Sequence, residues 1–119
     1  RHFRKAWITL DTNHFWHGST RRHDYLLKGS WISSSIDEAA LFAFLRSQER
    51  NKEAFIARID NPQIEERFTM GCFENATLKV NTNVHKWFSM KEISDLISCD
   101  MKKVILNTRQ IIDITHLIK

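Results

Sequence analysis

Two short aromatic segments, about one hairpin apart, constrain the fold of this chain more than any other feature. Residues 15–19 (FWHGS) place two aromatics before a His-Gly-Ser and predict a strand that ends at a glycine. Residues 29–35 (GSWISSS) predict a second strand that runs directly into a helix start. Consecutive strands usually lie next to each other. We therefore expect the two segments to pair and to share one crevice.

The helix behind these segments has the clearest start signal in the chain. Ser35 and Glu38 form a Ser-x-x-Glu capping box, in which the serine caps the third amide and the glutamate reaches back to the cap. An apolar stripe at three- and four-residue spacing follows: Leu41, Phe44 and Leu45. Phe42 is offset from this stripe. The pattern predicts a helix from residue 35 to about residues 46–49.

The other elements are predicted from composition and turn signals. Further strands are expected at residues 6–10, 55–59, 67–70, 76–80, 102–106 and 111–118. A second capping box, from Ser89 to Glu92, opens a short helix. The order β-β-β-α-β-β-β-α-β-β predicts a single α+β domain over residues 1–119 with a mainly antiparallel sheet.

Composition and charge narrow the class of protein. A hydrophobic fraction of 42% with 27% charged residues is ordinary for a globular domain, and the net charge of +4 suits anionic partners. No apolar run approaches the ~18 residues of a membrane helix, and the start of the chain does not resemble a signal peptide. Cys72 and Cys99 are isolated, so we expect reduced thiols and a cytoplasmic location. Because the chain begins without Met, we expect an excised domain or a processed product.

The succession His-Gly-Ser, Gly-x-aromatic-x-Ser and capped helix resembles the His-Tyr-Glu branch of the ADP-ribosyltransferase superfamily. That branch includes poly-ADP-ribose polymerase and diphtheria-toxin catalytic domains and the small rifampin-modifying transferases. The resemblance covers roughly residues 14–45 and, loosely, residues 102–118. It implies an ADP-ribosyltransferase-like fold with a split β-sheet and two or three short helices, and NAD⁺ as a substrate.

The resemblance also assigns roles to single residues. His17 falls where such enzymes place a histidine that hydrogen-bonds a ribose hydroxyl of NAD⁺, and it is counted with the catalytic residues. Gly18 falls where the backbone holds the nicotinamide carboxamide, since a residue without Cβ lets a planar ligand approach. Ser19 completes the motif. Arg21, together with Arg22, follows closely enough to meet the pyrophosphate.

The second segment supplies the aromatic side of the implied site. Trp31 is the aromatic of the Gly-x-aromatic-x-Ser block, and Ser33 matches a small hydroxyl position beside the nicotinamide ring. Phe42 lies where some members have a second aromatic that stacks on this ring. From the residues alone, Trp31 is equally well explained as a core side chain, and Phe42 is better explained as one because Leu41 and Phe44 flank it. Ser33 is fully explained as part of a strand end before the helix cap.

The acidic residue of the family pattern has no clear counterpart. It should begin the late strand and stabilise the oxocarbenium-like transition state, but Lys102 falls at that position. Asp100, two residues earlier, is the candidate if the strand carries a bulge. His14 and His17 form an HxxH, but on a strand this spacing sends them to opposite faces, so no metal site is expected.

These features favour a mono-ADP-ribosyltransferase, a transferase of the glycosyltransferase class, that cleaves the nicotinamide–ribose bond of NAD⁺. Its small size resembles that of bacterial or phage effector and toxin domains. The acceptor is left open between protein, nucleic acid and small molecule, and no membrane partner is expected. Two alternatives remain: a catalytically inactive nucleotide-binding module of the same fold, favoured by Lys102, and a basic nucleic-acid-binding domain that uses the arginines with nearby aromatics.

Overall fold

The structure is a computed structural model that describes residues 14–70, 73–98 and 100–103. Within these residues the chain forms eight strands and two helices, and residues 100–103 are also helical. The strands are β1 (His14–Ser19), β2 (Tyr25–Leu26), β3 (Trp31–Ser33), β4 (Phe55–Asp60), β5 (Ile64–Met70), β6 (Phe73–Leu78), β7 (Thr82–Asn83) and β8 (Lys86–Ser89). The helices are α1 (Ile36–Arg50), after β3, and α2 (Met90–Ile93), after β8.

Six of the strands form one sheet in the order β5-β6-β3-β1-β4-β8. Every pairing in it is antiparallel. The two shortest strands, β2 and β7, pair separately as a small ribbon. The predicted α+β class and the mainly antiparallel sheet are therefore confirmed.

The sheet has a core on each face. On one face, α1 packs its small residues Ala39, Ala40 and Ala43 against Ile56 of β4 and Ile93 of α2. On the other face, a second cluster joins the ribbon to the sheet; its buried members are Phe15, Leu26, Ile32, Ala57, Ile59, Ala76 and Leu78. Both faces of the central strands are covered, so the sheet's middle is fixed from two sides.

Helix α1 matches its prediction closely, but its buried face differs from the predicted one. Ser35 is the N-cap, and Asn51 ends the helix in the left-handed conformation with φ 53°. Phe44 is buried as expected, whereas Leu41 and Leu45 are only half-buried. The alanines carry the packing because the helix lies too close to β1 for larger side chains.

The predicted strand beginning at Lys102 is wrong where the chain is described, because residues 100–103 are helical. Ser98 explains the difference. Its carbonyl accepts the Lys102 N–H at 3.0 Å and its hydroxyl accepts the Met101 N–H at 3.1 Å, as in a capped helical turn. The predicted strands at 6–10 and 111–118, the remainder of 102–106, and both cysteines lie outside the described residues.

Candidate functional site

A split between β1 and β3 creates a cleft. The two strands are paired through Trp16 and Ser33, whereas β1 is paired with β4 along its whole length. Beyond Trp16 the strands part, and the side chain of His17 bridges the gap to the backbone of Trp31. The cleft therefore opens at the point where β3 separates from β1, just before the chain enters α1.

His17 is held in one tautomer by this bridge. Its Nδ1 lies 2.7 Å from the Trp31 carbonyl oxygen, and since a carbonyl can only accept, Nδ1 carries the proton. Burial lowers the pKa of His17 below its ordinary value of 6.5, although the hydrogen bond to Trp31 acts in the opposite direction. At neutral pH the ring is therefore uncharged, and Nε2 presents a lone pair that can accept a hydrogen bond.

The cleft has a volume of about 510 Å³, within the range of small-molecule sites. It is lined by three parts of the chain: β1, β3 with the neighbouring β6, and the outward face of α1. The lining residues are Trp16, His17, Gly18, Trp31, Ile32, Ser33, Glu38, Ala39, Phe42, Arg46 and Asn75. Five of the residues expected from the sequence are thus brought together: His17, Gly18, Trp31, Ser33 and Phe42.

Two aromatic rings on the cleft wall are exposed to solvent. Trp31 is 56% exposed and Phe42 is 49% exposed, so neither is a core side chain. The Trp31 ring is supported from the side by Phe68, with ring centroids 5.2 Å apart and a tilt of 39°. Exposed, supported rings are suited to stacking on a flat ligand.

Glu38 is a cleft residue that the sequence pattern did not reveal. Its amide donates to the Ser35 hydroxyl at 3.2 Å, so half of the predicted capping box is present. The other half is wrong: the Ser35 N–H donates to the Ser33 hydroxyl at 3.0 Å and not to the Glu38 carboxylate. That carboxylate lies in the cleft. Its Oε2 is 3.4 Å from Asn75 Nδ2, and its buried Oε1 has no hydrogen-bond partner among the described residues.

The outward face of α1 presents three kinds of group in order along the cleft. Glu38, Phe42 and Arg46 are four residues apart, so they lie on one side of the helix at steps of about 6 Å. Arg46 is exposed, and its guanidinium makes a long contact with the Glu49 carboxylate, at 3.4 Å. The cleft therefore passes from a carboxylate, past an aromatic ring, to a guanidinium group.

Gly18 has a packing reason that the sequence pattern did not supply. A Cβ at this position would lie 2.7 Å from the Ala43 nitrogen and 2.9 Å from the Ala43 Cβ, and it would also collide with the Ala39 carbonyl oxygen. These are largely backbone atoms of α1, which cannot move without moving the helix. Glycine is therefore required here by the approach of α1 to β1.

Four of the expected residues do not line the cleft. The Ser19 hydroxyl accepts the Arg21 N–H at 3.0 Å and shapes the turn after β1. Arg21 is exposed in the following loop, and the guanidinium of Arg22 lies over the Phe55 ring at 4.2 Å. Asp100 is exposed in the helical turn after Ser98. Its expected position depended on the late strand, which does not begin there.

The described residues contain neither a metal-binding cluster nor a membrane-spanning helix. No group of three or more histidines, cysteines and acids in that part of the chain is arranged to hold a metal ion. No helix within it is both long and apolar enough to cross a membrane. Comparison of the whole chain with protein-family models, with curated proteins and with solved structures finds no match.

Proposed function

We propose that the cleft binds the nicotinamide riboside half of NAD⁺ and that the domain is a mono-ADP-ribosyltransferase. The observation that carries this proposal is the fixed tautomer of His17. Its Nδ1–H is committed to the Trp31 carbonyl, so its Nε2 can accept a hydrogen bond from a ribose hydroxyl. The exposed rings of Trp31 and Phe42 offer a surface on which a nicotinamide ring can stack.

The order of groups along α1 supports one direction for the ligand. The nicotinamide ring carries a positive charge in NAD⁺, which suits the end of the cleft that holds the Glu38 carboxylate. The pyrophosphate is anionic, which suits Arg46 about two turns further along the helix. In this orientation Arg46 takes the role that the sequence pattern assigned to Arg21.

The proposed reaction breaks the bond between ribose C1′ and the nicotinamide nitrogen. The bonding electron pair leaves with nicotinamide, which becomes neutral, and a nucleophile on the acceptor attacks C1′ and loses its proton to solvent. With water as the nucleophile the products are nicotinamide and ADP-ribose. Holding the ring and the ribose in fixed positions lowers the entropic part of the barrier.

A binding measurement with a matched pair of histidine variants tests the proposal. Titration with NAD⁺, followed by calorimetry and by tryptophan fluorescence, should give saturable binding to the wild-type protein. His17→Ala should weaken it about tenfold, the value of one well-placed hydrogen bond. His23→Ala, which removes an exposed imidazole in the loop before β2, should leave it unchanged.

Chromatography of the same mixtures should show free nicotinamide accumulating with the wild-type protein and not with His17→Ala. An absence of saturable NAD⁺ binding would contradict the proposal, most clearly if the protein instead bound RNA or DNA in a salt-sensitive manner. If the protein bound NAD⁺ without releasing nicotinamide, it would be a nucleotide-binding module, and the proposed transferase activity would be wrong.

A further inference from the structure

We propose that Glu38 is the carboxylate that selects the cationic form of the nicotinamide ring and stabilises the positive charge on the ribose as the glycosidic bond breaks. This inference rests on the proposed function and adds to it a residue at the start of a helix. The sequence pattern had placed the corresponding acid at Asp100, near a late strand.

The first support is the unsatisfied oxygen of Glu38. A buried carboxylate oxygen without a hydrogen-bond partner is costly, because it has lost water and gained nothing in return. Oε1 is in this state among the described residues, and the side chain that carries it lines the cleft. A ligand that brings positive charge or a hydrogen-bond donor into the cleft would relieve this cost.

The second support is a comparison within the chain. Both helices begin with Ser-x-x-Glu, but only the second box closes: the Glu92 carboxylate accepts the Ser89 N–H at 2.9 Å. At α1 the Ser33 hydroxyl accepts the corresponding N–H, that of Ser35. The glutamate is thereby released from capping, although the local sequence is equally suited to it.

The third support is the surroundings of the carboxylate. Asn75 lies within hydrogen-bonding distance of Oε2 at 3.4 Å, which orients the carboxylate and leaves Oε1 for a ligand. The neighbouring ring on the same helix face is Phe42, and an aromatic face also attracts a cation. Arg46 carries the positive charge on this face of α1. It lies about two helical turns from Glu38, too far to neutralise the carboxylate.

The chemistry requires only a fixed negative charge. As the C1′–N bond lengthens, positive charge moves from the nicotinamide ring onto C1′ and the ribose ring oxygen. A carboxylate beside this region stabilises the charge at both stages, and more strongly as it concentrates on the ribose. Water then attacks C1′ and releases its proton to solvent. Glu38 gains and loses no proton, and no group changes oxidation state.

Glu38→Gln and Glu92→Gln form a matched pair, because each removes one charge from the third helical position of a Ser-x-x-Glu helix start. Glu38→Gln should lower the rate of nicotinamide release about 100-fold, as expected for the loss of one preorganised electrostatic group. It should lower kcat by more than it raises KM. Glu92→Gln should release nicotinamide at the wild-type rate.

A second measurement does not depend on turnover. The wild-type protein should bind NAD⁺ more tightly than NADH, whose nicotinamide ring is neutral, by about tenfold for one screened charge pair. Glu38→Gln should bring the two affinities close together, and Glu92→Gln should not. If Glu38 had a purely structural role, Glu38→Gln would weaken the binding of NAD⁺ and NADH equally, and the ratio of the two affinities would not change.

The outcomes separate this inference from the proposed function. If Glu38→Gln is folded by circular dichroism and releases nicotinamide at the wild-type rate, the inference is overturned and the proposed function stands. If the wild-type protein binds NAD⁺ and NADH equally, the charge-selecting role is overturned. If no variant and no wild-type sample binds NAD⁺, the proposed function fails and the inference with it. Glu38→Asp, which keeps the charge and shortens the side chain, should retain the NAD⁺ preference.

Discussion

Gly18 belongs both to the cleft and to the contact between β1 and α1. The sequence pattern explained it by the approach of a ligand, whereas in the structure the backbone of α1 leaves no room for a Cβ at this position. A single position thus couples the packing of α1 to the shape of the cleft, because Glu38 and Phe42 are carried by the same helix.

A pair of glycine variants tests this coupling. Gly18→Ala should lower the free energy of unfolding by about 2 kcal/mol, since the added methyl forces α1 away from β1. Gly29→Ala should cost only about 1 kcal/mol: φ there is +87°, which strains an L-residue, but nothing lies within 4 Å of the added atom. Urea denaturation measures both. If the two variants lost the same free energy of unfolding, α1 could move away from β1 at no energetic cost, and the close contact at Gly18 would not be a constraint.

At the residue scale, the sequence predicted those members of the cleft that are placed by short-range structure. His17, Trp31 and Phe42 were implied by the family resemblance, and they lie on two neighbouring strands and one helix turn, which local patterns specify well. Glu38 was missed because a Ser-x-x-Glu sequence allows two arrangements. The Ser35 N–H can donate either to the Glu38 carboxylate, as in a capping box, or to another acceptor, as it does here. That choice is made by the side chain of Ser33, outside the four-residue box.

At the scale of the elements, the two helix starts differ in how their glutamates affect stability. In α2 the carboxylate of Glu92 satisfies a backbone amide, and its pKa is lowered chiefly by the hydrogen bond from the Ser89 N–H. In α1 the Glu38 carboxylate satisfies no backbone group and keeps one buried oxygen unpartnered among the described residues. Stability alone does not explain a glutamate at position 38.

Alanine at each position tests this difference. Glu92→Ala should lower the free energy of unfolding by about 1 kcal/mol, because the Ser89 N–H loses its partner. Glu38→Ala should leave the free energy of unfolding unchanged or raise it by up to about 1 kcal/mol, since it removes an unsatisfied buried oxygen. Thermal and urea unfolding report both values. A loss at position 38 as large as that at position 92 would assign Glu38 a structural role.

The longer elements were easier to predict than the shorter ones. Helix α1 and strands β4, β5 and β6 have enough residues for hydrophobic spacing and turn signals to be recognised. Strands β2 and β7 have two residues each and exist because they pair with each other across the chain. Strand β8 was missed in the same way, since its position is decided by pairing with β4.

At the scale of the whole domain, three groups with lowered pKa values, His17, Asp60 and Glu92, contribute to the response of stability to acid. Burial lowers the pKa of His17 in the folded state, so the unfolded chain binds more protons as pH falls below 6.5. The pKa of Asp60 is lowered by its hydrogen bond to Arg58, with a smaller contribution from His14. Its contribution is present above its ordinary value of 3.8 and is lost as pH falls through its lowered value.

The stability of the domain should therefore be greatest above about pH 6.5 and should fall in two stages on acidification. The first stage belongs to His17 and should be absent in His17→Gln. The second stage begins near pH 4, belongs to Asp60 together with Glu92, and should be reduced in Asp60→Asn. Urea midpoints measured at intervals from pH 3 to pH 8 provide the test. A first stage that persists in His17→Gln would mean that the imidazole is not the group responsible.

The split between β1 and β3 has a consequence for how the domain comes apart. It divides the sheet into two groups of three strands, β5-β6-β3 and β1-β4-β8. The pairing of Trp16 with Ser33, the His17 bridge, α1 and the buried cluster on the opposite face join these groups. A molecule bound in the split touches both groups, so its binding energy is lost when they separate. Occupancy of the cleft would therefore merge the two groups into one cooperative unit, visible as equal protection of their amides against hydrogen exchange.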